Sequence, residues 1–160
     1  MFREMRRKKQ LLSEAETIKI LKHSTSGVLG VTGDDGYPYT VPLSHVYQDG
    51  KLFFHCAQEG HKIEAITRND KVSYCVIDQD QVIPENFTTH FRSAIVFGRA
   101  RILTGEGERR RALESLVARF SPGYLVEGQQ EIERDLHRTC IIEVTIEYLT
   151  GKAAKEIINR

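Results

Sequence analysis

The chain of 160 residues carries 23 Lys and Arg against 22 Asp and Glu, a formal net charge of +1. With 40% hydrophobic and 28% charged residues it has the means for a globular core, which excludes disorder as its default state. The charge balance also excludes bulk electrostatic binding of nucleic acid, which shows as a basic excess. The length fits a single domain over 1–160. Within it, 1–25 form a basic segment and helix, 26–150 a barrel with helical insertions, and 151–160 a tail. The longest apolar runs, such as 94–97, fall far short of the roughly 18 residues that a membrane span needs. No apolar stretch follows the basic N-terminus, and three cysteines without paired spacing read as reduced thiols. The expectation is a soluble cytoplasmic domain.

The basic opening, with Arg3, Arg6, Arg7, Lys8 and Lys9, leads to Ser13-Glu14-Ala15-Glu16. This is a capping-box pattern: the Ser hydroxyl accepts from the third helical N–H while Glu16 reaches back to the cap. Leu11, Ala15, Ile18 and Leu21 then recur at helical spacing and predict a short helix over 14–22. From Gly27 the period changes. Residues 28–32 read as a strand, Gly33-Asp34-Asp35-Gly36 as a turn, and 39–47 as a second strand. Asp49-Gly50 marks a tight turn before a third strand over 51–57. Gln58-Glu59-Gly60 opens a helical stretch with Ile63 and Ile66 on one face, ending near Asn69-Asp70. A fourth strand over 72–77 is rich in β-branched residues. A polar loop around Pro84-Glu85-Asn86 then precedes a long fifth strand over 93–103.

Gly105 breaks that strand, and 106–120 is the clearest helix, with Leu113, Leu116, Val117 and Phe120 as its apolar stripe. Ser121-Pro122-Gly123 ends it. A second helical stretch over 128–137 keeps Ile132 and Leu136 in phase. The sixth strand, 140–149, alternates apolar with mixed residues, and a helical tail over 152–158 remains. Consecutive strands joined by tight turns imply an antiparallel meander. The fold class is therefore β-rich α+β, with a six-stranded small barrel favoured over a doubly wound sheet.

Three segments carry the residues that suggest chemistry. In 52–62 a strand ends at His55-Cys56-Ala57 and a helix begins at Gly60-His61-Lys62. Free N–H groups, the positive end of the helix dipole and Lys62 together suit an anionic phosphate. An ordinary helix with solvent-facing His and Lys uses the same residues. In 36–47, Pro38 and Pro42 each remove a ladder donor, which places this strand at an edge or a bulge, with Tyr37 and Tyr39 beside it. In 88–100, Arg92 and Ser93 stand at the start of an apolar strand, where a guanidinium pairs either with a phosphate or with a neighbouring carboxylate.

Other chemistry is weaker. His55 and Cys56 are adjacent on a predicted strand and point to opposite faces, so they cannot share an ion, and no metal site is expected. Cys75 and Cys140 lie within strands and read as small buried hydrophobes. A nucleophilic pairing of Cys56 with a histidine lacks an orienting third group. Arg109-Arg110-Arg111, interspersed with Glu106, Glu108 and Glu114, reads as a solvated helical face. Gly105-Glu106-Gly107 lacks the third glycine of a dinucleotide-binding loop.

The order and spacing of Met5-Arg6-Arg7-Lys8, 38–44, Phe54-His55-Cys56-Ala57, Gly60-His61-Lys62, Arg92-Ser93 and Phe97-Gly98-Arg99-Ala100 resembles one family. The chain is similar to the pyridoxamine-5′-phosphate-oxidase-like split-barrel flavoproteins, most of all the branch with the nitroimidazole-resistance (Nim-type) proteins. The resemblance covers most of the chain to about residue 120.

It implies an antiparallel six-stranded split β-barrel of Greek-key, FMN-binding type with flanking helices. It also implies a homodimer with two flavin sites shared across the interface. By position, Gly60, His61 and Lys62 would hold the flavin phosphate, and His55, Cys56 and Ala57 would lie along the ribityl chain or near the phosphate. Val41, Pro42, Leu43 and Ser44 would line the isoalloxazine through backbone groups. Arg92 and Ser93 match the position where the vitamin oxidases place an Arg-Gln pair. Ser in place of Gln, and a C-terminus without those enzymes' Arg-His pattern, argue against pyridoxamine-phosphate oxidase activity.

The implied function is an FMN-dependent oxidoreductase acting on nitroaromatic or quinone-like small molecules, with NADH or NADPH visiting the open flavin face. The alternatives are a non-catalytic flavin-binding or sensor protein, or haem or a deazaflavin on the same fold.

Overall fold

Ser13 and Glu16 close the predicted capping box in the computed structural model, which describes residues 1–158. The Ser13 hydroxyl accepts from the Glu16 N–H at 3.3 Å, and the Ser13 N–H donates to Glu16 Oε2 at 2.9 Å. They start α1 (Glu14–His23), whose buried face is Thr17, Ile20 and Leu21. Seven strands follow: β1 (Ser26–Thr32), β2 (Pro38–Ser44), β3 (Val46–Gln48), β4 (Lys51–Cys56), β5 (Lys71–Ile83), β6 (Thr88–Ile102) and β7 (Cys140–Ala153). Four more helices are α2 (His61–Arg68), α3 (Glu106–Phe120), α4 (Leu125–Asp135) and α5 (Lys155–Ile158). No helix among the described residues is long and apolar enough to cross a membrane.

The strands form one antiparallel sheet in the order β2-β1-β5-β6-β7-β4-β3. The α+β, strand-rich class stands, but the sheet has seven strands rather than six and no ladder seals it into a closed barrel. The extra strand arises because the predicted strand 39–47 breaks at His45. Its two parts, β2 and β3, are the opposite edges of the sheet. One residue therefore links the two edges, and the sheet must curl until they meet at that corner.

The reason for the break lies in the His45 side chain, which is 1% exposed. Its Nε2 donates to the Leu21 carbonyl at 2.8 Å, and its Nδ1 lies 2.9 Å from the Tyr74 hydroxyl. Tyr74 also reaches the Leu43 carbonyl at 2.7 Å, so its one proton is shared between two acceptors. An unpaired buried imidazole would cost about 1–3 kcal/mol, so these contacts hold the chain out of ladder geometry at this point.

Inside the curl lies the main core: Leu29, Val31, Leu52, Phe54, Tyr74, Val76, Ala94, Val96, Ile142 and Val144. Burying each large side chain contributes roughly 1.5–3 kcal/mol. α1 closes one end with Ile20 and Leu21, and α2 adds Ala65 and Ile66. Gly151 is needed where β7 passes α1, because a Cβ there would stand 2.2 Å from Thr17 Oγ1. A smaller cluster, Leu103, Ala112 and Ile141 with Phe53 and Leu113, packs α3 on the outside of β4 and β7.

Two segments differ from the sequence reading. The predicted polar loop after 77 is instead a hairpin extension: β5 runs to Ile83 and β6 starts at Thr88, joined by a turn over Pro84–Asn86 and resuming after a bulge between Ile77 and Gln79. Much of it faces solvent, with Val82 67% exposed, so no hydrophobic alternation announced it. At the C-terminus β7 continues to Ala153, because Ala153 and Ala154 are buried, and the tail helix begins only at Lys155. The last two residues of the predicted tail lie outside the described residues.

Burial pushes the His45 pKa below the ordinary histidine value, with only partial opposition from the Leu21 carbonyl. The ring is neutral in folded and unfolded chains above pH ~6.5, and below that the unfolded chain takes up the proton first. The denaturant midpoint is therefore expected to hold steady above pH ~7 and to fall as the pH drops below ~6.5. The fall should be smaller in His45→Gln; an equal fall in both proteins would contradict this role.

Candidate functional site

The end of β4, the following turn and the start of α2 form one corner. Gly60 caps α2 with φ +131°, a conformation that L side chains rarely adopt, and a Cβ there would meet nothing within 4 Å. No side chain caps the helix. The Gly60 carbonyl accepts from Ile63 and Glu64, at 2.9 and 3.2 Å. The N–H groups of His61 and Lys62, ahead of those two, are the free donors of the first turn. Lys62 is half-buried and forms no ion pair among the described residues. An open glycine, free N–H groups and an unpaired ammonium are the donor set an anion requires.

The His61 ring turns away from that opening. It stacks on Tyr39 with centroids 4.1 Å apart, and its Nε2 lies 3.6 Å from Asp34, which also holds Arg68 at 2.6 Å. The proximity of Arg68 keeps the Asp34 carboxyl below the usual range. His61 thus ties the first turn of α2 to the β1–β2 turn. Sequence reasoning missed this contact, because Tyr39 and Asp34 are distant in the chain and reach His61 only through the sheet.

β2 behaves as its prolines predict. It pairs only with β1, leaving its other edge open. Its side chains alternate: Val41 and Leu43 pack on the main core, whereas Pro42 and Ser44 are exposed. Ser44 and His55 line one largely apolar cavity of about 350 Å³, roofed by Leu113, Val117, Phe120 and Leu136 from α3, α4 and the residue after it. His55 is exposed at the rim of this cavity, and partial desolvation by its apolar wall shifts its pKa below the ordinary histidine value. Ser121 and Gly128 also line this cavity.

Cys56 and Cys140 stand directly opposite each other at the ends of β4 and β7. Ala57, next in the chain, is exposed. The Cys140 thiol pKa is pulled down by the neighbouring Cys56 thiol and, against burial, by the charges of Lys62 and Arg109. The Cys56 thiol is correspondingly pushed up.

Arg92 and Ser93 are elsewhere. Arg92 lies 3.7 Å from Asp78 and opens onto a separate groove of about 1060 Å³ bordered by Glu16, Lys19 and His23 of α1. Ser93 faces Ile77 on the outer side of the sheet. Along β6, Arg92 is ten residues from Ile102, which pairs beside Cys140. Arg92 therefore stands toward the opposite end of β6 from the corner of Cys140. The outer face between them carries one apolar row, Pro42, Val28, Cys75 and Ile95 in register across four strands, flanked by rows in which Ile77 and Phe97 alternate with Ser and Thr. Ile77 is 66% exposed.

Comparison with known proteins agrees with this architecture. The family model of pyridoxamine 5′-phosphate oxidase matches residues 13–153. A candidate 5-nitroimidazole antibiotic resistance protein from Bacteroides thetaiotaomicron superposes with a TM-score of 0.73 at 21% identity, over 89% of this chain and 85% of that one. An FAD-binding protein from Mesorhizobium loti does so with a TM-score of 0.65 at 27% identity, over 91% and 97%. An FAD and haem binding protein from Mycobacterium smegmatis reaches 0.76 at 20% identity, over 95% and 80%. No curated protein sequence matches.

The corner depends on the glycine backbone. Gly60→Ala is expected to cost about 1–3 kcal/mol in urea unfolding through backbone strain alone, since the space is open. A neutral effect would show that the turn adopts another conformation.

Proposed function

Because the chain belongs to the pyridoxamine 5′-phosphate oxidase family, we propose that it is an FMN-binding oxidoreductase acting on nitroaromatic or quinone-like small molecules. The observation that carries this reading is the β4–α2 corner, where an open glycine, two free N–H groups and the unpaired Lys62 converge. Bound there, FMN supplies the hydride and electron chemistry, and the protein supplies binding, orientation and charge. Lys62 and the N–H groups of His61 and Lys62 hold the phosphate. The His61 ring, stacked on Tyr39, keeps that turn in position. Cys56, Ala57 and the open edge of β2 from Val41 to Ser44 extend the site from this corner. The apolar cavity between Ser44 and His55 has the size of a small-ligand pocket and suits a planar aromatic acceptor.

A second copy of the chain completes the reading. Arg92 and Ser93 join the site from the partner, since within one chain they lie at the far end of β6. The apolar row of Val28, Cys75 and Ile95 on the outer face of β1, β5 and β6, with the exposed Ile77 beside it, is the surface on which two curled sheets pack as a split-barrel dimer. NADH or NADPH reaches the flavin from solvent. The vitamin oxidation that names the family is not part of this reading, because Ser93 replaces the expected Gln. A second reading, haem binding, has one observation in its favour: Ser44 and a His55 held neutral share an apolar cavity, and neutral imidazole is a haem-iron ligand.

The visible spectrum of the purified protein separates these readings. Flavin bands and released FMN are expected. A Soret band would replace the first reading with the second, and a colourless protein that takes up no added FMN would overturn both. Lys62→Ala is expected to weaken FMN about 10- to 150-fold, the worth of a charge-assisted phosphate contact, in a fluorescence titration. Unchanged affinity would place the phosphate elsewhere. Light scattering is expected to give a dimer, and a flavin-retaining monomer would break the shared site. Failure of NADH and NADPH to bleach the bound flavin would reduce the function to flavin binding.

A further inference from the structure

We propose that Cys56 and Cys140 are a reversible peroxide-sensitive dithiol that closes to a disulfide between β4 and β7. The two residues are directly opposed in an antiparallel ladder, so their side chains lie on the same face. Opposed residues have Cα atoms about 4.5–5.5 Å apart, inside the range that a disulfide spans. Both thiols are free, Cys56 half-buried and Cys140 buried. They face the main core at its open end, because Leu52 and Phe54 precede Cys56 on the core side of β4, and Ile142 and Val144 follow Cys140 on that of β7.

The surroundings favour the reactive form. Lys62 of α2 and Arg109 of α3 bring positive charge to Cys140, and Cys56 stands opposite it in the ladder. Arg109 is itself held by the Leu136 carbonyl at 2.9 Å, just before β7. A thiolate flanked by cations and beside a second thiol is the arrangement that oxidises first and resolves to a disulfide. The Cys140 thiolate attacks one oxygen of hydrogen peroxide, breaking the O–O bond, and takes that oxygen as a sulfenic acid while water leaves. The Cys56 sulfur then attacks the Cys140 sulfur, and the sulfenic oxygen leaves as a second water. In sum two thiols lose two electrons and two protons, and one peroxide becomes two waters. A small-molecule dithiol reverses the step by exchange.

Cys75 is the built-in control. It lies on the outer face of β5 opposite Val28 and Ile95, with no cysteine in register. The inference does not rest on flavin binding. The experiment treats the intact, reduced protein with hydrogen peroxide, then counts thiols after denaturation and maps peptides without reductant. Two of the three thiols are expected to disappear, with the Cys56 and Cys140 peptides linked, Cys75 free, and all three thiols restored by dithiothreitol. Cys56→Ser is expected to accumulate a Cys140 sulfenic acid that a dimedone-type probe captures. Retention of all three thiols, a linkage involving Cys75, or oxidation of either residue to sulfinic acid without linkage would overturn the proposal.

Discussion

A single buried imidazole sits where the chain passes from one edge of the sheet to the other. His45 separates β2 from β3, and those strands are the two ends of a seven-stranded order. Two consecutive strands cannot occupy opposite edges unless the sheet curls back on itself. The imidazole fastens that curl to α1 through Leu21 and to the centre of the sheet through Tyr74, which packs edge-on against Phe54 at 5.0 Å. The enclosed core, the helix closing one end and the open corner at the other follow from this junction.

The curl also determines what the opposite face must do. Glu143 on β7 is 4% exposed, yet it is held by Lys51 of β4 at 3.1 Å and by Arg101 of β6 at 2.8 Å. Burial alone would raise its pKa, and the hydrogen bonds from Arg101 and Lys51 more than offset that, leaving the carboxylate charged. Arg101 continues to Glu108 on α3 at 2.8 Å. This network fixes α3 over β4 and β7, which roofs the cavity of Ser44 and His55. Only the Glu143 carboxylate is buried, while the Lys51 and Arg101 side chains stay partly in solvent, so the pairing chiefly offsets the cost of desolvating one carboxylate.

These two arrangements divide the chemistry-bearing residues between the ends of the sheet. Lys62, His55 and the opposed cysteines gather at one end, beside the start of α2 and the end of α4. Arg92 stands at the other, beside α1 and Asp78. Between the two ends the outer face carries an apolar row across four strands, from Pro42 through Val28 and Cys75 to Ile95. Local positive charge, rather than the overall balance of charge, decides what the first end can bind.

Much of the fold was legible in the amino-acid sequence, because local chemistry dictates it. The capping box of Ser13 and Glu16, the span of α3, the prolines that confine β2 to an edge and the glycine before α2 act through neighbours in the chain. The clustering of His55 to Lys62 was legible for the same reason, since those residues are consecutive. The break at His45 was not, because its cause is a pair of partners from α1 and β5. The hairpin beyond Ile77 hid because it faces solvent and needs no alternation. The Tyr39–His61 stack and the opposition of Cys56 to Cys140 depend on strand register, which only the assembled sheet sets. The separation of Arg92 from Lys62 is likewise a distance across the sheet, and no spacing in a linear chain encodes it.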